Sequence, residues 1–496
     1  MKRLLIIFSF LCCFTLTTVV SAEKRDLREE VIYNILVDRF NNGDQTHSED
    51  VRIDDPYAYH GGDIKGIIAK LDDLESLGFT TITLSPVMEN AKDGYHGYWI
   101  EDFYNVEKQF GTMEDLQTLV NEAHQRDMKV ILEFVTNYVS ETHPYVLDEE
   151  KEDWFKDVNK PNHLPDSMYW LDEVAFFNHE NEDVQTYLLD VANYWIEETD
   201  VDGFKLHAAD QASQEFLNHF TSTLKEKNPH FYIIADVLDS TADLESLRNN
   251  TYIDAVDNEK MHDALNEVFT QARSPVSKLY ETWKENGNNN DLLFVDSKDT
   301  PRFAYNASRN DRNALTTWKL ALTYLYTSPG IPSFYQGSEL KMYEPGFPEN
   351  QQMVKFNSTD PDLEEFIHRI SSLRDQFPAL VYGDFKQVAT NDALSVFKRS
   401  LEDEEIYIAI NNGDEMEEVT LSEIPESKQL RGLLGDNIIR KDKNGEFSLS
   451  IPREDVEIYV IEDNIGINWL FISLIGSVFI IFVWFVIYVS RKQKNQ

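Results

Sequence analysis

The residues best suited to chemistry lie in three short segments, each at the end of a β-rich run. The segments are Gly203-Phe-Lys-Leu-His207, Ile233-Ile-Ala-Asp-Val237 and Ser297-Lys-Asp299. A histidine with carboxylates nearby can exchange protons near neutral pH. His207 and Asp236 are therefore candidates for an acid–base pair, although a histidine that only fills a pocket is the commoner outcome.

An alternation of strands and helices, which begins near residue 31, must position these segments. The candidate strands are Val31–Val37, Phe79–Leu84, Lys129–Val135, Gly203–Leu206, Phe231–Val237, Tyr252–Val256, Leu292–Val295 and Ile331–Tyr335. Short β-rich runs separated by helical stretches are typical of a parallel barrel. The pattern predicts a (β/α)8 TIM barrel over residues 23–382, in which chemistry is placed at the C-terminal ends of the strands.

Two further regions differ from the barrel region in composition and hydrophobic pattern. Residues 140–178 are polar and contain proline, which predicts a short inserted domain after the third strand, over the barrel mouth. Residues 383–465 contain alternating runs such as Leu394-Ser-Val-Phe-Lys398, which are spaced by turns such as Asn411-Asn-Gly-Asp414. This pattern predicts an antiparallel β-sandwich that packs on the barrel.

A series of motifs runs along the chain in one order. They are Val31-Ile-Tyr-Asn-Ile-Leu-Val-Asp-Arg-Phe40, His60-Gly-Gly-Asp63, Gly94-Tyr-His-Gly-Tyr-Trp-Ile-Glu-Asp-Phe103, Phe110-Gly-Thr112, Ala123-His124, Lys129-Val-Ile-Leu-Glu-Phe-Val-Thr-Asn137, Asp202-Gly-Phe204, Asp299-Thr-Pro-Arg-Phe303 and Pro329-Gly-Ile-Pro332. Together they resemble glycoside hydrolase family 13, the α-amylase family, over about residues 30–460. The resemblance implies the barrel, the C-terminal sandwich and a site for α-glucans.

The resemblance also implies where catalytic groups would stand. His207 matches the position of the family's nucleophilic Asp, Asp236 that of its acid/base Glu, and Asp299 that of its third carboxylate. Imidazole cannot form the usual glycosyl ester, and Asp236 is one carbon shorter than Glu. These departures predict a catalytically degenerate protein, with weak residual hydrolysis or a new acid–base pair as alternatives.

Other positions that bind substrate in the family are matched in part. Lys205 stands where the family has an arginine, and Lys298 where it has a sugar-binding histidine. His96, Tyr98 and Arg302 match the family, and Tyr98 is its stacking ring at the cleavage subsite. The resemblance therefore predicts glycan contacts from these five residues, whereas the alternative is that the Tyr98 loop only stabilises the fold.

Calcium is the only cofactor that the resemblance implies. Asn42, Asp44 and Asp63 match one of the family's calcium sites in part, and clustered oxygen ligands are what calcium prefers. Ordinary turn residues are the alternative explanation. The two cysteines, Cys12 and Cys13, both lie in the apolar N-terminal run, which leaves the rest of the chain without disulfides or thiolate metal sites.

Both ends of the chain carry apolar runs. Residues 1–22 have the pattern of a secretory signal peptide, with a membrane-retained anchor as the alternative. Residues 469–489 are apolar and uncharged, which predicts a transmembrane helix, and the basic residues in 490–496 predict a cytoplasmic tail. These patterns predict a single-pass protein of the cell membrane with a large extracellular domain.

The charge balance excludes one class of partner. The chain has 45 Lys and Arg against 88 Asp and Glu, for a net charge of −43. Such a surface repels nucleic acid. The main functional hypothesis is a membrane-anchored, catalytically degenerate α-amylase-like protein that binds glycan. The alternatives are an active, divergent α-glucan hydrolase or transferase, and a non-enzymatic scaffold for an envelope or transporter partner.

Overall fold

A closed sheet of eight parallel strands forms the centre of the molecule within the described residues. A computed structural model describes residues 25–47, 50–158, 166–239, 241–422, 424–443, 445–464 and 469–494. The barrel strands are β1 (Ile32–Ile35), β2 (Thr81–Leu84), β3 (Lys129–Val135), β4 (Gly203–His207), β5 (Tyr232–Ala235), β6 (Ala255–Val256), β7 (Leu292–Leu293) and β8 (Ile331–Tyr335). Their order is β6-β5-β4-β3-β2-β1-β8-β7, and a parallel bridge between Asp257 and Leu292 closes the ring. The predicted (β/α)8 barrel is confirmed.

Helices connect the strands and cover the barrel. They are α1 (Ile64–Ile68), α2 (Leu71–Ser76), α3 (Met113–Gln125), α4 (Glu182–Thr199), α5 (Gln214–Lys227), α6 (Leu244–Asn250), α7 (Glu259–Thr270), α8 (Ser277–Asn286), α9 (Phe303–Arg309), α10 (Ala314–Thr327), α11 (Pro361–Gln376), α12 (Pro378–Tyr382) and α13 (Trp469–Lys494). Their starts are set by side-chain caps: Thr112 and Asp115 form a reciprocal capping box on α3. The strands are buried on both faces because apolar helices pack against their outer sides.

Two small antiparallel sheets extend the barrel loops. Met88–Asn90 pairs with Ile100–Val106 after β2. In the predicted insertion after β3, Tyr138–Ser140 and Phe155–Lys156 both pair with Val174–Phe177. The boundaries of this insertion, and of the other predicted domains, stay predictions.

The C-terminal region is an antiparallel β-structure, as predicted. Its strands are β9 (Asp384–Asn391), β10 (Leu394–Leu401), β11 (Glu404–Asn411), β12 (Glu417–Leu421), β13 (Lys428–Gly432), β14 (Ile438–Ile439), β15 (Phe447–Ile451) and β16 (Asp455–Asp463). One sheet has the order β9-β10-β11-β16-β13-β14, and β12 pairs with β15 beside it. Arg312 of the barrel donates hydrogen bonds to Asn412 and Glu454, which connects the two regions.

The predicted membrane topology is not confirmed. The predicted signal peptide lies outside the described residues, and α13 covers the predicted span together with part of the predicted tail. A bilayer crossing needs about 20 consecutive apolar residues in one helix. Over the part of the chain that the structure describes, no helix is both long and apolar enough to cross a membrane. This finding contradicts the predicted single-pass location at the cell membrane.

Candidate functional site

A cavity of about 190 Å³ opens at the C-terminal ends of the barrel strands. Five predicted site residues line it together: His207, Asp236, Asp299, Lys205 and Lys298. They come from neighbouring strands or from the loops that follow them, so the parallel barrel brings their side chains to one end. The structure thus collects the three predicted catalytic positions in one place.

His207 forms the centre of a buried cluster with two carboxylates. Its Nδ1 lies 3.0 Å from Glu133 Oε1 and 3.0 Å from Asp236 Oδ2, and its side chain is only 1% exposed. Glu133 belongs to β3, adjacent to β4, and Asp236 follows β5 on the other side. The imidazole therefore lies between acidic groups contributed by both neighbouring strands.

His207 and the carboxylates of this cluster shift each other's pKa values. Burial alone lowers the pKa of His207, but the carboxylates of Asp236 and Glu133 outweigh it and raise the pKa to about 9. Burial likewise raises the pKa of Asp236, yet His207 and the nearby lysines hold it well below its usual range. Near neutral pH, His207 is therefore a positively charged imidazolium and Asp236 a negatively charged carboxylate.

Each lysine of the cavity has a carboxylate partner. Lys205 Nζ lies 2.6 Å from Asp257 Oδ2, and Lys298 Nζ lies 2.7 Å from Asp299 Oδ2. Burial lowers the pKa of Lys205, but Asp257 and the other acidic groups raise it to about 12. Both ammonium groups therefore stay charged and are held by ion pairs.

Glu259 is an additional carboxyl group at the cavity wall. It is the first residue of α7 and lines the cavity with Asp236 and Asp299. Burial raises the pKa of Glu259 to about 7, and the acidic neighbours Asp257 and Asp299 add to the shift. A carboxyl group with this pKa can hold a proton at neutral pH and release it.

Tyr98 does not offer the free ring face that stacking on a sugar would need. The ring is 1% exposed, and the imidazole of His207 is stacked on it with centroids 4.4 Å apart and planes at 16°. Its hydroxyl donates a hydrogen bond of 2.7 Å to Glu133 Oε1. His96 is also buried, and its Nδ1 accepts a hydrogen bond from the Tyr98 backbone N–H. Glycan contact by these two residues stays a prediction.

Arg302 lies outside the cavity wall. It is fully buried, and its guanidinium donates to the backbone carbonyl oxygens of Gln336 and Asn350. Its carboxylate neighbours, Asp296 and Glu344, are both 3.8 Å away. In this position Arg302 connects the loops after β7 and β8 rather than reaching a ligand.

The residues of the predicted calcium site do not fit a calcium ion as they are arranged. Asp63 accepts hydrogen bonds from the backbone N–H groups of Gly43, Asp44 and Gly66, which occupies both carboxylate oxygens. Asp44 Oδ2 lies 2.6 Å from the ammonium of Lys65, and the Asn42 residue is exposed. Calcium needs six to eight oxygen ligands. The lysine and the backbone donors take the places that such an ion would require.

Four acidic residues that line the cavity were not predicted as site residues: Glu133, Asp257, Glu259 and Asp296. Glu133 stands at a position where the family's third-strand motif has Asp, and that departure was the available signal. Asp257 and Glu259 follow the end of β6, the strand position at which a barrel places functional side chains. A position just after a predicted strand is the signal for Asp257, Glu259 and Asp296, whereas Glu133 lies within the predicted strand Lys129–Val135.

Comparison with known proteins identifies the family. The protein-family model described as "Alpha amylase, catalytic domain" matches residues 34–377 of the sequence. A second family model, described as "Alpha-amylase C-terminal domain", matches residues 383–459. A solved α-amylase from Anoxybacillus is 38% identical, with a TM-score of 0.84 over 90% of this chain and 100% of that chain.

Two curated relatives cover most of the chain. A cyclomaltodextrinase from Bacillus sp is 28% identical over 417 residues, which cover 78% of this chain and 73% of that protein. A beta/alpha-amylase from Paenibacillus polymyxa is 27% identical over 462 residues, which cover 88% of this chain but only 38% of that longer protein.

These relatives correct the main functional prediction. Their names are those of enzymes, which contradicts a membrane-anchored, catalytically degenerate protein and favours the active alternative. Beside the predicted positions, the structure places further carboxyl groups around the same cavity, among them Glu133, Asp257 and Glu259. One family model matches the barrel region and a second matches the C-terminal region, and the structure has the barrel, the C-terminal sheets and the cavity. The chain therefore belongs to the α-amylase family, glycoside hydrolase family 13.

Proposed function

We propose that this chain is a divergent α-glucan hydrolase or transferase. The observation that carries the proposal is the convergence of carboxyl groups on one cavity at the C-terminal barrel face, among them Asp236, Asp299 and Glu259. Cleavage of a glycosidic bond needs one carboxylate to face the developing positive charge and one acid to protonate the leaving oxygen. The names of the similar proteins, an α-amylase and a cyclomaltodextrinase, support α-glucans as the substrate class.

Asp236 is the carboxylate that we assign to the anomeric carbon. Its Oδ1 accepts a hydrogen bond of 2.6 Å from the backbone N–H of Ala208, and its Oδ2 faces His207 at 3.0 Å. These two contacts fix the plane of the carboxylate without using a flexible partner. A carboxylate fixed in this way can stabilise an oxocarbenium-like transition state or attack it.

Glu259 is the group that we assign to proton donation. Its pKa of about 7 lies near neutral pH, where a general acid can both hold and donate a proton. Its side chain is 29% exposed, so water can return a proton to it after each turnover. Asp299, held by Lys298 at 2.7 Å, would then bind sugar hydroxyl groups beside these two.

The test is turnover of defined α-glucans by the purified full chain. We expect release of reducing ends from maltoheptaose and β-cyclodextrin, and a loss of at least about 100-fold in Asp236→Asn. The matched control is Asp239→Asn, an exposed aspartate three residues further along, which should keep the wild-type rate. No turnover by the wild type, or an equal rate in Asp236→Asn, would refute the proposal.

The same reaction mixtures separate hydrolysis from transfer. Chromatography of the products from maltoheptaose shows only shorter oligosaccharides if water is the acceptor. A transferase also gives chains longer than the substrate. If Glu259 is the proton donor, Glu259→Gln should retain more activity on an aryl α-glucoside with an acidic leaving group than on maltoheptaose, because such a group leaves without protonation.

A further inference from the structure

We propose that Glu133, His207 and Asp236 form a binding site for one divalent transition-metal ion of the Zn²⁺ class. The three residues line the barrel cavity, where an imidazole nitrogen and two carboxylate oxygens converge. This inference goes beyond the proposed glucan chemistry, with which it shares Asp236 as a functional group. It assigns a second ligand class to this end of the barrel.

The distances between the donor atoms fit one ion. One ligand atom from each residue lies within 4.8 Å of the other two, and His207 Nδ1 is 3.0 Å from both carboxylate oxygens. Ligands bound at about 2.0–2.2 Å are separated by about 3.0–3.5 Å when they are neighbours in an octahedral or tetrahedral shell. The two distances from the imidazole nitrogen are therefore close to those between neighbouring ligands of one ion.

Both carboxylates are held in place by other groups. The backbone N–H of Ala208 donates to Asp236 Oδ1 and leaves Oδ2 directed at the imidazole. The hydroxyl of Tyr98 donates to Glu133 Oε1 at 2.7 Å. Hydrogen bonds from such outer groups orient metal ligands and are part of the design of natural sites.

The charge around the cluster favours a divalent ion. The two nearby ammonium groups are already paired, Lys205 with Asp257 and Lys298 with Asp299. The carboxylates of Glu133 and Asp236 thus share a single imidazole as their closest positive partner. A divalent ion bound with a neutral imidazole would balance both carboxylates.

The ligand types and the open cavity indicate the kind of metal. A mixed set of one imidazole and two carboxylates suits Zn²⁺, Fe²⁺ or Co²⁺ better than calcium, which takes oxygen ligands only. The cavity of about 190 Å³ leaves space for water in the remaining coordination positions. Three protein ligands with an open position is the pattern of catalytic rather than structural zinc sites.

The experiment is a direct titration of the chelator-treated full chain. Isothermal calorimetry with Zn²⁺ should show one saturable site, and Co²⁺ at the same site should give a visible d–d absorption. Excess Ca²⁺ should leave that absorption unchanged. Both readouts are independent of glucan turnover, so failure of this proposal and failure of the proposed function can be distinguished.

Variants locate the site. Glu133→Gln keeps the size of the side chain and an acceptor for Tyr98, and we expect it to weaken Zn²⁺ binding at least about 10-fold. His207→Ala should weaken it at least about 100-fold, whereas His219→Ala, an exposed histidine on α5, should bind as the wild type does. No saturable binding by the wild type, or equal affinity in Glu133→Gln and the wild type, would overturn the proposal even if His207→Ala does not fold.

Discussion

The ion pair between Lys205 and Asp257 gives a direct test of how the cavity is stabilised. The two side chains belong to different strand ends, lie 2.6 Å apart and are each 12% exposed. The substitution Asp257→Asn keeps the shape of the side chain and removes its charge. The Lys205 ammonium then remains buried with only the more distant carboxylates of Asp236 and Glu133 to attract it.

The expected fall in Tm can be estimated from the burial of the ion pair and the length of the folded chain. Removing one partner of a buried ion pair costs about 3–5 kcal/mol because the other charge is left uncompensated. A folded part of about 430 residues has an unfolding entropy of about 0.9 kcal/mol/K, so each kcal/mol lowers Tm by about 1 °C. We therefore expect Asp257→Asn to melt about 3–5 °C below the wild type.

The assay is differential scanning calorimetry at neutral pH. The pKa of Lys205 in the folded chain, about 12, is above that of an unfolded lysine, so its stabilising contribution is fully present at this pH and is lost only as the pH rises through 12. Asp414→Asn is the matched control, since its partner Arg273 is 60% exposed, and we expect no measurable change in Tm.

A second substitution distinguishes a charge effect from a packing effect. Lys205→Met in the Asp257→Asn background removes the uncompensated ammonium, and it should recover part of the lost Tm. An Asp257→Asn variant that melts within 1 °C of the wild type, or a double variant that melts below the single one, would refute the charge effect.

Three further predictions concern other parts of the structure. Tyr98→Phe removes the buried hydrogen bond to Glu133 and should lower the free energy of unfolding by about 1–2 kcal/mol, measured by denaturant titration; an unchanged midpoint would contradict this. Asn412→Ala removes an amide that donates to three barrel carbonyl oxygens. It should lower the Tm and broaden or split the calorimetric transition, because the C-terminal region would separate from the barrel more easily. A single transition at the wild-type Tm would count against this prediction. The hydrogen bond to Asp202 raises the pKa of His124, so this pair should stabilise the fold fully below about pH 6.5 and less as the pH rises through the raised pKa. The difference in Tm between the wild type and His124→Asn should therefore shrink as the pH rises over that range. A difference in Tm that stays constant would refute this link between protonation and stability.

The positions of the barrel strands could be predicted because their signal is local. The predicted strand Lys129–Val135 has the same bounds in the structure, and Ile331–Tyr335 does too. Tyr252–Val256 was predicted too long, since only Ala255–Val256 pairs with its neighbour. A run of apolar residues shows that a strand is present, but the number of paired residues depends on the adjacent strand.

The meeting of His207, Asp236 and Asp299 in one cavity could also be predicted. Side chains at the C-terminal ends of parallel strands gather at one end of a barrel, so sequence position alone decides their neighbourhood. The replaced motif residues favoured the degenerate hypothesis over the active alternative. The correction came from similarity over the whole chain.

The sequence by itself therefore determined the order of the elements, the family and the end of the barrel at which the chemistry lies. Only the tertiary structure decided which groups pair there: that Glu133 joins His207 and Asp236, and that the ring of Tyr98 is covered by an imidazole. The physical reason is range. Periodicity and motif order are local properties of the chain, whereas ion pairs, stacking and metal ligation depend on differences of about 1 Å between side chains from distant segments.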